Sequence, residues 1–168
     1  LLVAVQEFSL PSLVRHMNAA HRRGVRVKLL LENSYSTPWS DQQPSHLPKH
    51  QRHRWHQLQH LADADGDGIT TAEEAQQGDA VGLLLQAGVP LLDDTEDGSS
   101  GSGLMHHKFV VVDDRSVITG SANFTSSGLH GDAGKPRTRG NVNHLLRIDS
   151  PALAAVFRRE FERMWGDG

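Results

Sequence analysis

Cysteine is absent from this sequence, which excludes disulfides, thiolate metal sites and a cysteine nucleophile but leaves the compartment open. No apolar run approaches the roughly 18 residues that span a bilayer as a helix. No methionine opens the chain. It begins at Leu1, inside an apolar stretch, as expected of a processed or trimmed product whose leader would lie upstream. Lysine and arginine are missing between Leu61 and Asp97, a span that holds ten of the 20 acidic residues. All 17 basic residues therefore face only ten acidic ones elsewhere, so a formal charge of −3 conceals a body at +7 carrying an acidic insert. Such a body suits an anionic polymer. No internal repeat is present, and 168 residues suffice for one domain with its own core.

The periodicity predicts alternating strands and helices. "LLVAVQEF" and "VRVKLLLE" (Val25 to Glu32) read as buried strands. Between them lies a helix with Ser9 as the expected cap, Pro11 in its first turn and Gly24 as its stop. Leu10, Leu13, Val14 and Met17 form its apolar face. Short connections of this kind favour a parallel sheet covered by helices. Residues 33 to about 60 are less regular, with prolines at 38, 44 and 48, and a helix is expected from Lys49 to Leu61. A further helix is expected over Ala80 to Gly88, then a short strand "VPLLDD" and a flexible linker from Asp97 to Gly103. Two strands follow, "KFVVVDD" and "SVITGS", joined by a turn near Asp114-Arg115. "NHLLRI" reads as another strand. The last helix starts at Pro151 under a Ser150 cap, with Leu153, Val156, Phe157, Phe161 and Met164 on its apolar face.

The chemistry concentrates in "GLMHHKFVVVDDRSVITGSANFT", Gly103 to Thr125. Residues two apart on a strand share a face, so His106 and Lys108 are expected to point together and His107 away. The same parity pairs Ser121 with Asn123. If the two strands are neighbours, the four side chains converge. An imidazole, an ammonium, a hydroxyl and an amide together suit a phosphate. Singly, a histidine pair at a strand end is an ordinary polar edge and GSxN an ordinary turn; it is the joint register that carries the signal.

That register, His106-x-Lys108-x4-Asp113-x6-Gly120-Ser121-x-Asn123, closely resembles the HKD signature of the phospholipase D superfamily. "LLVAVQEFSLPSLVRHMNAAHRRGVRVKLLLE" is also similar to the strand–helix–strand unit before the motif in single-motif bacterial endonucleases of that family. The resemblance implies an α/β fold with a mixed, largely parallel sheet flanked by helices, the family's first strand and helix lying before Leu1. It implies that His106 attacks phosphorus to form a phosphohistidine, with Lys108, Asn123 and Ser121 on the phosphoryl oxygens. Asp113, of opposite strand parity, is expected to give structural or electrostatic support. No metal is implied for catalysis. The second histidine would come from a homodimer partner or from a second motif in a longer chain.

One departure concerns the acidic residue that orients the histidine in the family, on the strand after the motif. Here "RGNVNHLLRI" has no carboxylate, and Asn141 and Asn143, on one face, are the expected substitutes.

Residues 33–79 are expected to form an insertion. Within it, "DADGDGITTAEE" places Asp63, Asp65 and Asp67 at positions 1, 3 and 5, Gly68 at 6 and Glu74 at 12 of an EF-hand-like calcium loop. The Ile69 carbonyl would be the position-7 ligand. Thr70 stands where an apolar residue is usual. A single such loop points to a structural calcium. Before it, His50, His53, His56 and His60 form one helical stripe beside Lys49, Arg52, Arg54 and Trp55. A zinc site there lacks a further indicated ligand, so the stripe reads as a basic surface facing solvent or substrate, with Arg52, Arg54 and Trp55 as candidate contacts.

A phosphodiesterase of this kind is expected to be a nuclease. A phospholipase is the alternative; it would need an apolar surface at the site mouth, for which Tyr35 to Trp39 is the one candidate. A catalytically weak nucleic-acid-binding domain is the third reading, distinguished by salt-sensitive binding without turnover. The calcium loop and the trimmed start lean toward export.

Overall fold

The computed structural model describes residues 1–96, 98, 103–131 and 140–166. Six strands form one sheet in the order β3-β2-β1-β4-β5-β6. They are β1 (Leu2–Val5), β2 (Lys28–Leu31), β3 (Leu91–Asp93), β4 (Lys108–Val112), β5 (Ser116–Gly120) and β6 (Leu145–Asp149). β1, β2 and β3 pair in parallel, while β1–β4, β4–β5 and β5–β6 are antiparallel. The sheet is thus mixed α/β, leaning further toward antiparallel pairing than the sequence suggests. Only the half built from crossover connections is parallel, because the tight β4–β5 turn forces the other direction.

The helices are α1 (Pro11–Arg22), α2 (Lys49–Ala62), α3 (Ala72–Gly78), α4 (Ala80–Gln86), α5 (Ser126–Leu129) and α6 (Pro151–Trp165). Alternate strand residues supply two cores, as the period of two requires. Val3, Val5, Leu29 and Leu31 pack with Val14 of α1 and Val81 and Leu84 of α4. Ala4, Leu30, Phe109, Val111 and Val117 pack with Ala154, Phe161 and Met164 of α6. Removing the Phe161 ring from this fully buried position would cost about 3–5 kcal/mol.

Several local expectations are corrected. Ser9 is not the cap of α1: Leu10 occupies that position, and the Ser9 N–H donates to Phe124 O instead. Pro11 at the first helical position has no N–H to satisfy, so the missing side-chain cap costs little. Ser150, in contrast, accepts from Leu153 N at the start of α6. Val156 stands half exposed rather than on the packed face. α3, unforeseen in the sequence, starts with a capping box between Thr71 and Glu74. The expected linker from Asp97 to Gly103 lies largely outside the described residues.

The sheet brings one set of ends together. Val5 at the end of β1 lies opposite Lys108 at the start of β4, and antiparallel pairing sets Gly120, the end of β5, at that same edge. Phe8 and Phe124, bridged through the backbone with rings 5.5 Å apart, fasten the segment after β1 to the segment after β5.

Candidate active site

At this edge the structure gathers Lys108 and Asn123 around a residue the sequence did not single out. Gln6 Oε1 accepts from Lys108 Nζ at 3.2 Å and from Asn123 Nδ2 at 3.3 Å. The ammonium also donates to the His106 carbonyl at 3.0 Å. Lys108 is buried, and burial pushes its ammonium below the ordinary lysine range. Asn123 Oδ1 is buried without a hydrogen-bond partner among the described residues. A cationic nitrogen and an amide N–H sharing one neutral acceptor form a donor pair suited to an anion.

His106 precedes β4 rather than lying within it, so the strand-parity expectation for His106 and Lys108 does not apply: the ladder begins at Lys108. The imidazole is exposed and lines a cavity of about 480 Å³ with Met105, His107, Asp94 and Arg163. His107 turns to α6, where Nε2 lies 3.4 Å from Glu160 Oε1 and its ring meets Phe109 edge-on. The Arg163 hydrogen bond, with a smaller contribution from His107, holds the Glu160 carboxyl below its usual range.

Ser121 is exposed just after β5. Its hydroxyl donates to Asn143 Oδ1 at 2.8 Å and accepts from His144 N. Asn143 Nδ2 donates to Gly128 O, and Asn141 uses its backbone N–H on Ser127 O. The Asn143 amide is therefore spent on Ser121 and Gly128, not on orienting His106, and Asn141 is exposed. Asp113 is the farthest of the motif residues. It sits with Asp114 at the opposite end of β4, both at positive φ (52° and 53°), in the turn closed by Arg115 N donating to Val112 O. Two left-handed residues in succession match the twist of the hairpin, and aspartate tolerates them. Asp113 thus shapes the hairpin and lies away from the phosphate-sized cluster.

The residues expected to touch substrate on α2 are otherwise engaged. Arg52 donates to Pro44 O and Leu47 O. Arg54 pairs with Glu7 at 2.6 Å and lies over the Tyr35 ring. Trp55 packs edge-on against buried Trp39 and donates to its carbonyl. Tyr35 to Trp39 is consequently not an apolar surface at the site mouth.

In the acidic loop, oxygens of Asp63, Asp65 and Asp67 lie within 4.8 Å of one another. Gly66 N and Gly68 N donate to Asp63, which bends the loop around these carboxylates. Glu74 instead accepts from Ala64 N, Thr71 N and Thr71 Oγ1, bonds that lower its pKa to about 2. Three clustered carboxylates fit a hard cation; Glu74 would have to leave the Ala64 N–H to join them. Ile69 is exposed, and its N–H donates to Asp67 Oδ1 at 2.7 Å.

The family described as "Cardiolipin synthase, PLD-like domain" matches residues 1–165. The chain belongs to the PLD-like family. Mitochondrial cardiolipin hydrolase of Xenopus tropicalis is 30% identical over 163 residues, covering 97% of this chain and 53% of that protein. The human protein of the same name is 27% identical over 158 residues, covering 94% and 42%. The chain thus spans about half the length of these relatives. Among solved structures, the phospholipase D family member Nuc of Salmonella typhimurium superposes with a TM-score of 0.57 at 21% identity, covering 99% of this chain and 77% of that one. NucT of Helicobacter pylori gives 0.56 at 17%, covering 97% and 76%. At such identities the two structures establish the shared PLD-like fold.

Within this PLD-like chain, sequence reasoning missed Gln6 because a glutamine at the end of a strand has no signature of its own. Only its place just after Val5, the partner of Lys108 across the β1–β4 ladder, makes it part of the site. Asp94, at the end of β3, was also passed over; it is a buried carboxylate lining the cavity of His106, with Oδ1 accepting from Asn33 N.

Proposed function

We propose that this chain hydrolyses phosphodiesters through a phosphohistidine on His106, and that its substrate is nucleic acid. The observation that carries the reading is the pair of donors, Lys108 Nζ and Asn123 Nδ2, held on Gln6 Oε1 at the sheet edge that also bears His106 and Ser121. A His106 ring nitrogen forms a bond to phosphorus while the P–O bond to the leaving group breaks. The leaving oxygen takes its proton from the matching histidine of a second copy of the motif. Water then attacks the phosphohistidine, gives its proton to that second histidine, and frees His106 as the N–P bond breaks. Each proton-transfer role is worth about 10²–10⁴-fold. Lys108 and Asn123 hold the phosphoryl oxygens throughout.

A homodimer supplies the second motif in this reading. Nucleic acid is favoured by the basic body and by the inward packing of Trp39, which removes the apolar mouth a lipid would seek. The second reading, a phospholipase, draws on the relatives named cardiolipin hydrolase and on Leu104 and Val142, apolar side chains left exposed beside His106 and Asn143. Cleavage of single-stranded and plasmid DNA in excess EDTA, beside His106→Ala, tests the choice. Turnover that survives chelation and disappears in the mutant supports the nuclease. A folded, dimeric protein that leaves DNA intact and cleaves cardiolipin in vesicles replaces it with the phospholipase.

Residues 33–79 we read as an insertion, and its loop as a structural calcium site formed by Asp63, Asp65 and Asp67, with the Ile69 carbonyl and Glu74 completing the set. Calcium is expected to raise the melting temperature and protect this segment from protease without altering the rate of cleavage. A calcium-independent melting curve would remove the site.

A further inference from the structure

A groove larger than the cavity of His106 lies beside it in the fold. It holds about 650 Å³ and lies between α2 and the segment following Asn123. One wall carries His50, His53, His56 and His60, all exposed; the other carries Thr125, Ser126 and Ser127. Its floor includes Glu7, the neighbour of Gln6, and Thr125 follows Asn123 by two residues. The groove therefore runs out from the same strand ends that gather the phosphate donors.

We propose that this groove is a subsite for the phosphodiester strand flanking the scissile phosphate, with the α2 imidazoles as its anion-holding wall. The proposal rests on the nuclease reading and gives its substrate a path. Imidazoles and hydroxyls offer donors to phosphate oxygens and sugar hydroxyls, whereas an acyl chain requires a continuous apolar wall. A cavity of this size fits about two nucleotides by the scale of ordinary ligand sites. The histidines do not converge as metal ligands: among the described residues only Asp63, Asp65 and Asp67 cluster closely enough. An imidazole wall facing a common groove is thus free to serve a ligand strung along it.

Glu7, the carboxylate of the lining, is paired with Arg54 at 2.6 Å, and the Thr125–Ser127 wall presents only hydroxyls to a strand lying in the groove.

The test is fluorescence anisotropy of a labelled 12-nucleotide oligo-dT on the His106→Ala protein, with and without His50→Gln, His53→Gln and His60→Gln together. Reading binding in the His106→Ala background makes the result independent of whether the wild-type chain cleaves DNA. Glutamine keeps the exposed helix positions favourable, and circular dichroism verifies the fold. The triple variant is expected to bind roughly tenfold more weakly, with a salt dependence shallower by about 0.7 per lost phosphate contact. Ser127→Asp, which places a negative charge on the facing wall, is expected to weaken binding as well. Equal affinity and salt slope in parent and triple variant would overturn the subsite. So would variants that lose binding to cardiolipin vesicles while keeping the oligonucleotide.

Discussion

Gln6 shares one carbonyl oxygen between a lysine ammonium and an asparagine amide, and that arrangement fixes where both donors point. Removing the acceptor leaves Lys108, already desolvated, with only the His106 carbonyl. Gln6→Ala is therefore expected to lower kcat by about 10–10²-fold with the fold intact, since small displacements of positioning groups are costly. Steady-state kinetics with circular dichroism checks this; an unchanged kcat would remove Gln6 from the site. Gln6 also shows what one chain of letters withholds. Lys108, Ser121 and Asn123 were legible because their types and spacing carry chemistry. Gln6 entered only through the pairing of β1 with β4, a long-range register that no local pattern encodes. The partners of Asn143, Ser121 and Gly128, were hidden for a related reason: they come from another part of the chain.

Elements with strong local signals were legible to within a few residues. α6 begins at Pro151 because Ser150 caps it, and α4 follows Asp79, whose carboxylate accepts from Gly82 N. Strand ends were overestimated, since apolar residues such as Val25 and Val27 continue beyond the ladder into packed connections. The acidic loop was legible as a spacing, but the competing use of Glu74 as a helix cap was not. That use has a pH consequence. The Glu74 carboxyl lies at about 2 in the folded chain, below its unfolded value near 4.3. A depressed folded value means that the contribution is fully present above about pH 4.3 and lost as pH falls toward 2. Protection of the Ala64 and Thr71 amides, measured against their intrinsic exchange rates, is expected to fall as pH drops across that window in the wild type. In Glu74→Gln it should be low already at pH 6; protection unaffected by the substitution would show that other contacts hold the loop.

Over the whole molecule, the separation of charge matters more than its sum. The acidic span from Leu61 to Asp97 contains the Asp63–Asp67 loop, α3, α4 and β3, while the histidines of α2, Lys108 and Asn123 lie in the basic remainder. The fold class, the strand–helix–strand start and the family were all readable from sequence, because buried strands and a register of chemistry-bearing residues leave local traces. The sheet order, which sets β1 between β2 and β4 and so assembles the site, was not. The account stands or falls on the covalent step. A phosphorus-labelled oligonucleotide, mixed with the protein and quenched in alkaline detergent, should leave an acid-labile, alkali-stable adduct on the peptide containing His106. The adduct should be absent in His106→Ala. Turnover of the substrate with no label on His106, or label retained in the mutant, would contradict the phosphohistidine mechanism.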